Sequence, residues 1–126
     1  MRAALSLARR GLGTVWPNPA VGCILVRDDL DGRVVGRGWT QAGGRPHAET
    51  EALGRAGDLA EGASAYVTFE PCNHQGETPP CSEALIAAGI KRCIISCQDP
   101  DPRVSGQGIK RLETAGIETS LGLCGD

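Results

Sequence analysis

The regular alternation of helical and strand patterns after residue 47 is the feature that most limits the fold of this chain. Three stretches have helical features: apolar residues at helical spacing, a Thr-Pro-Pro start, and Gly57 and Gly89 as ends. A strand pattern follows each of them. The predicted helices cover residues 48–56, 78–89 and 109–115, and the predicted strands cover residues 64–69, 92–97 and 117–122. Helices of about ten residues between strands predict parallel crossover connections.

The first part of the chain predicts one more helix and an antiparallel hairpin. Residues 2–10 have apolar side chains at helical spacing, and Gly11 stands where a carboxy-terminal cap would lie. Residues 20–26 are apolar at every position, which is typical of a central strand buried on both faces. A turn at 28–32 leads into a second strand at 33–38. We therefore expect a three-layer α/β/α fold around one mixed sheet of about five strands.

Composition narrows the class of protein. The chain has 126 residues, of which 40% are hydrophobic and 22% charged, with a net charge of −2, and this balance indicates one globular domain. No apolar run approaches the roughly 18 residues that span a bilayer, and no signal-peptide pattern opens the chain, so we expect a cytoplasmic protein without a membrane partner. The chain has only four aromatic residues, two Trp, one Tyr and one Phe, and it has no excess of basic residues. Both properties disfavour nucleic acid as a partner, because its binding usually needs positive charge and aromatic side chains that stack on bases.

The chain contains six cysteines, and their spacing has to decide what they do. A disulfide framework is typical of small secreted chains that cannot build a core, and this chain is long enough to build one. Metal ligands, reactive thiols and small buried residues remain as alternatives.

Three of the polar residues that packing explains poorly form a zinc-ligand set. His47 stands at the start of the second predicted helix, and Cys72 and Cys81 frame the start of the third. One imidazole and two thiolates leave the fourth tetrahedral position open for water, which is the ligand count of a catalytic zinc site. The amino termini of helices favour thiolates.

Glu49 follows His47 by two residues and supplies the acid–base group that such a site needs. A carboxylate there can take a proton from an activated water molecule and pass it to a ring nitrogen and a leaving amine. His-x-Glu followed by Pro-Cys and a second Cys is the signature of zinc nucleobase deaminases, in which the glutamate is not a ligand.

The other cysteines are interpreted as ordinary. Cys93 and Cys97 lie on one predicted strand, about 13 Å apart at ~3.3 Å per residue, too far to share one zinc ion. Cys23 falls within the buried strand and Cys124 in the tail.

Five short runs carry a resemblance to a known family: PNPAVG at 17–22, PHAE at 46–49, EPCNH at 70–74, GETPPC at 76–81 and DPDPRVSG at 99–106. Over nearly its whole length the chain resembles the deaminase domain of bacterial riboflavin-biosynthesis deaminase/reductases, of the cytidine-deaminase-like superfamily. The resemblance implies zinc-dependent deamination of 2,5-diamino-6-ribosylamino-4(3H)-pyrimidinone 5′-phosphate, with release of ammonia. It also implies a homo-oligomer, for which we expect a dimer.

The resemblance further concerns the extent of the chain. In the family a reductase domain follows the deaminase domain, and this chain ends at Asp126, where the reductase would begin. We therefore expect residues 1–126 to be the deaminase domain, with the reductase absent. A helix starting almost at Met1 suggests that the chain begins inside a longer natural one.

By the same resemblance, His47, Cys72 and Cys81 hold zinc and Glu49 moves protons. The expected substrate-binding residues are Asn18, His74, Asp99 and Arg103. Alternatives remain open for three of them: Asn18 and Asp99 also suit turns beside proline, and His74 also suits an ordinary loop.

Two positions depart from the family and bear on a phosphorylated substrate. Thr40 stands where the family often has histidine, and Glu77 where it often has lysine or arginine. Arg45, Arg103 or backbone N–H groups at 105–108 could replace the lost cations. The departures keep one other substrate class open, a free base or nucleoside such as guanine or cytosine. A non-catalytic zinc module is a separate alternative, and Glu49 argues against it, because a structural site has no use for a carboxylate at that place.

Overall fold

The computed structural model describes residues 1–9, 21–40, 47–71, 80–97 and 106–122. Within these ranges the helices are α1 (Arg2–Ala8), α2 (Ala48–Ala56), α3 (Cys81–Ala87) and α4 (Gln107–Thr114), and the strands are β1 (Gly22–Arg27), β2 (Arg33–Trp39), β3 (Ser64–Val67), β4 (Arg92–Ile95) and β5 (Glu118–Leu121). Two short 3₁₀ turns occupy Asp28–Leu30 and Gly57–Ala60.

The five strands form one mixed sheet in the order β2-β1-β3-β4-β5. β1 runs antiparallel to both of its neighbours, whereas β3, β4 and β5 run parallel to one another. The parallel part consists of the strands joined through α3 and α4, so the predicted hairpin followed by parallel crossovers is confirmed.

Helices cover both faces of the sheet, which confirms the three-layer arrangement. The main core lies between the sheet and α2, α3 and α4, and includes Leu85 and Leu112 from the two crossover helices. α1 packs on the opposite face, where Ala4 and Leu7 contact Ile24. β1 is apolar at successive positions because Cys23 faces the main core and Ile24 faces α1.

The ends of several elements differ from the sequence-based prediction. α2 has the predicted bounds, but α1 ends at Ala8 instead of residue 10. The third helix begins at Cys81 and not in the Thr-Pro-Pro run, because Pro80 has an extended backbone, with φ −58° and ψ 147°. Regular pairing in β4 ends at Ile95, although the Glu70 N–H still donates to the Cys97 carbonyl at 2.8 Å.

None of the helices in the described ranges combines the length and apolar character that crossing a bilayer requires.

Candidate metal centre

The starts of α2 and α3 bring two of the predicted zinc ligands together. His47 immediately precedes α2 and Cys81 is the first residue of α3. The Nδ1 atom of His47 lies 3.4 Å from the Sγ atom of Cys81, although 34 residues separate them in the chain. Cys81 is 2% exposed, so the thiol is enclosed by protein.

This distance fits two ligands of one tetrahedral zinc ion. Zn–N and Zn–S bonds of about 2.0 and 2.3 Å place the two ligand atoms about 3.5 Å apart at a tetrahedral angle. The two atoms therefore match the donor types and the spacing of a shared metal. The third predicted ligand, Cys72, lies outside the described residues, within which no group of three His, Cys, Asp or Glu side chains forms a metal site.

Glu49 lies in the first turn of α2 and is 4% exposed. A glutamate this deeply buried is uncommon in proteins, since removing a carboxylate from water costs free energy. His47 and Glu49 flank Ala48, so one helix start supplies both the imidazole and the carboxylate. The predicted ligand and the predicted acid–base group thus lie at one helix start, and their roles stay predictions.

The thiols of Cys23 and Cys93 lie in the core on β1 and β4. Burial raises the pKa of both thiols, and the negative charge of Glu49 raises it further. A thiol must lose its proton to bind zinc, so both thiols are poor competitors for the metal. Their interpretation as small core residues is confirmed. Cys97 is exposed and lies beyond β4, so the expectation that it lies on one strand with Cys93 is wrong.

Glu70 is a buried carboxylate, 5% exposed, to which the sequence analysis assigned no role. Its Oε1 accepts a hydrogen bond from the Gly106 N–H at 3.0 Å, and its Oε2 accepts from Gly108 at 2.9 Å and Ile109 at 3.2 Å. The start of α4 is thus capped by a side chain 36 or more residues away. The N–H groups of Gly106 and Gly108, suggested above as phosphate donors, are engaged by this carboxylate.

Thr40 forms hydrogen bonds with Val21, the residue that precedes β1. Its Oγ1 accepts a hydrogen bond from the Val21 N–H at 2.9 Å, and its own N–H donates to the Val21 carbonyl at 3.0 Å. The side chain is 2% exposed. On the other side of β1, the Thr68 hydroxyl accepts from the Gly22 N–H at 3.0 Å. Thr40 therefore has a structural role at the end of the sheet.

The geometry described above does not include the expected substrate-binding residues. Asn18, His74, Asp99 and Arg103 lie outside the described residues, as does Glu77. Their assignments stay predictions from the sequence.

Comparison with known proteins agrees with this site. Residues 1–97 match the family described as the cytidine and deoxycytidylate deaminase zinc-binding region. The riboflavin biosynthesis protein RibD of Escherichia coli (strain K12) is 56% identical over 123 residues, which cover 98% of this chain and 33% of that protein. The chain thus spans about a third of that relative.

A relative whose length is closer to that of this chain, and a solved structure, are similar to the chain over nearly all of its residues. The diaminohydroxyphosphoribosylamino-pyrimidine deaminase of Buchnera aphidicola subsp. Schizaphis graminum is 48% identical over 98% of this chain and 82% of that protein. A structure of Acinetobacter baumannii RibD superposes with a TM-score of 0.93 at 50% identity, over 99% of this chain and 34% of that one. With His47, Glu49 and Cys81 gathered at two helix starts, these matches show that the chain belongs to the zinc-binding family of cytidine and deoxycytidylate deaminases.

Proposed function

We propose that the protein is a zinc-dependent deaminase of 2,5-diamino-6-ribosylamino-4(3H)-pyrimidinone 5′-phosphate, acting in riboflavin biosynthesis. The observation that carries the proposal is the 3.4 Å approach of His47 Nδ1 to Cys81 Sγ with the buried Glu49 in the same helix turn. The substrate is supported by the Buchnera aphidicola relative, whose name states deamination of this type of pyrimidine.

His47 and Cys81 would hold the metal, together with Cys72, which follows the described Pro71 directly. When bound, zinc supplies a Lewis acid that makes water a nucleophile near neutral pH. The two thiolates offset the charge of the ion.

Glu49 moves the protons of the reaction. Its carboxylate accepts a proton as the water oxygen bonds to the ring carbon that carries the amino group. It passes this proton to the ring nitrogen, then takes the remaining proton from the hydroxyl group now on that carbon and gives it to the amino group. The carbon–nitrogen bond breaks, ammonia leaves, and a ring carbonyl remains. Burial of Glu49 suits this role because bulk water is kept from the proton in transit.

The remaining assignments belong to the same proposal. Asn18, His74, Asp99 and Arg103 contact the substrate, residues 1–126 act as the deaminase domain, and the protein works in the cytoplasm as a homodimer. Its partner is the small phosphorylated aminopyrimidine and neither a nucleic acid nor a membrane.

Ammonia release from a panel of substrates tests the proposal. The panel holds the phosphorylated aminopyrimidine, its dephosphorylated form, guanine, cytidine and deoxycytidylate, each incubated with zinc-loaded protein. We expect the highest kcat/KM for the phosphorylated aminopyrimidine. Preference for a free base or nucleoside would replace the proposed substrate, and zinc binding with no ammonia from any compound would leave a non-catalytic zinc module.

A further inference from the structure

Glu70 connects three parts of the chain: the backbone that leads into Pro71, the residues after β4 and the start of α4. Its backbone N–H donates to the Cys97 carbonyl at 2.8 Å, next to the end of β4. Its side chain accepts three hydrogen bonds from the start of α4, beginning with the Gly106 N–H at 3.0 Å. Pro71 and then Cys72 follow it in sequence.

The two backbone partners of Glu70 bracket residues 98–105. Cys97 precedes this segment and Gly106 follows it, so a single residue binds the chain on both sides of the segment. The segment contains Asp99 and Arg103, which are expected to contact substrate.

The backbone of Pro71 is in close contact with α4 as well. A Cβ atom on Gly108 would lie 2.0 Å from the Pro71 carbonyl oxygen, so only glycine permits this approach. The first turn of α4 therefore rests on the residue that directly precedes the expected ligand Cys72.

We infer that Glu70 is a positioning residue that couples the backbone leading into Cys72 to both ends of the substrate segment 98–105. The inference rests on the proposed function for the roles of Cys72 and of that segment. A carboxylate bound by three N–H groups at a helix start is held by charge-assisted hydrogen bonds, which are stronger than neutral ones. Loss of its charge and of one acceptor oxygen should loosen the contact with α4. No residue expected to bind the metal or the substrate is itself changed.

Glu70→Gln tests this inference, with Glu83→Gln as the matched control. Glu83 ties the middle of α4 to α3 through Arg111, with Nε to Oε1 at 2.6 Å and Nη2 to Oε2 at 3.2 Å, and it takes no part in the Glu70 contacts. Each of the two substitutions replaces a carboxylate that accepts hydrogen bonds from α4. For each zinc-loaded variant we would measure the zinc dissociation constant by chelator competition, KM and kcat for ammonia release, and amide exchange at Gly106, Gly108 and Ile109.

We expect Glu70→Gln to weaken zinc binding by on the order of tenfold, the lower end of the range for groups that orient metal ligands. KM should rise by a similar factor with a smaller fall in kcat, and exchange at the three amides should increase. Glu83→Gln should leave the zinc dissociation constant and KM unchanged. A Glu70→Gln protein that is merely less stable, with wild-type zinc affinity and KM, would overturn the inference.

Gly108→Ala gives a second route if Glu70→Gln fails to fold. The added methyl group pushes α4 away from Pro71 while Glu70 remains, and it should also weaken zinc binding and raise KM; unchanged values would contradict the coupling. Zinc affinity is measured without turnover, so it tests the inference independently of the reaction. If the protein binds zinc but deaminates none of the compounds, the proposed function fails. The zinc dissociation constants of the wild type and the variants still decide the inference. A wild-type protein that binds no zinc would overturn both.

Discussion

Gly38 of β2 lies directly under the carbonyl oxygen of Ala48 in the first turn of α2, where a Cβ atom on Gly38 would stand 2.3 Å from that oxygen. Gly36 has the same relationship to the Ala52 carbonyl, at 2.4 Å, one turn further along the helix. Ala48 lies between His47 and Glu49, so the close approach of β2 at Gly38 fixes the distance from the sheet to the backbone that carries these two proposed site residues.

Gly38→Ala should therefore affect the metal centre, whereas Gly36→Ala should act on stability alone. Each extra methyl group overpacks the same helix–strand contact and should lower the free energy of unfolding by about 1–3 kcal/mol. Only Gly38→Ala should also reduce kcat, because it displaces the start of α2. Urea unfolding and ammonia release compare the two variants, and equal effects on kcat would show that the position of Gly38 is not special.

Glu49→Gln should keep the fold and the zinc but reduce kcat by roughly 10²- to 10⁴-fold, the range for a lost acid–base group. The amide has the shape of the carboxylate but cannot accept the proton. Elemental analysis and ammonia release measure the two effects. A variant that turns over near the wild-type rate would move the proton-transfer role to another residue, with His74 the first to test.

Cys81→Ala and Cys72→Ala should each lose zinc and lower the unfolding temperature, since the energy of metal binding to a folded site also stabilises the fold. Cys97→Ala is the matched control, because Cys97 is an exposed cysteine outside the proposed ligand set. Zinc content and thermal unfolding should separate the control from the two ligand variants. Full zinc in Cys81→Ala would remove that residue from the ligand set.

Stability should fall at alkaline pH through the buried thiol of Cys93. Burial and the charge of Glu49 raise the pKa of this thiol in the folded protein, so folding keeps it protonated. The unfolded chain loses that proton above about pH 8.5. The stabilisation is therefore complete below that pH, and it is lost as the pH rises further, by up to ~1.4 kcal/mol per pH unit.

Urea unfolding of zinc-loaded protein at pH 8 and pH 10 measures this effect. The wild type should lose about 2 kcal/mol more than Cys93→Ala over this interval. The exposed Cys97 provides the control as Cys97→Ala, which should behave like the wild type. Equal losses in wild type and Cys93→Ala would show that this thiol does not drive the alkaline decline.

The two departures from the family should respond differently to mutation. Thr40→Val deprives the buried Val21 N–H of its acceptor and should cost about 1–3 kcal/mol of stability with KM little changed. Glu77→Lys should instead lower KM for the phosphorylated aminopyrimidine with little effect on kcat, as expected for ground-state binding. Kinetics with phosphorylated and dephosphorylated substrate check both, and an unchanged phosphate preference in Glu77→Lys would place that side chain away from the phosphate.

Local patterns in the sequence were sufficient to predict most of the architecture. The spacing of apolar residues and the end at Gly57 gave the bounds of α2, and the continuous apolar run near residue 24 predicted a strand buried on both faces. The placement of His47 and Cys81 at helix starts was also predictable, because it follows from local patterns; their zinc-ligand roles stay predictions. The predicted start of α3 and end of β4 were wrong, because proline geometry and strand pairing decide them.

The sequence by itself thus determined the order of helices and strands and the mixed α/β class, and it predicted a set of zinc ligands. Only the tertiary structure decided that Glu70 caps α4, that Gly38 meets Ala48, and that Thr40 binds Val21 at the start of β1. These contacts join positions that are 10 to 39 residues apart. No local pattern encodes them, because each depends on how the helices pack on the sheet and which buried polar groups then need a partner.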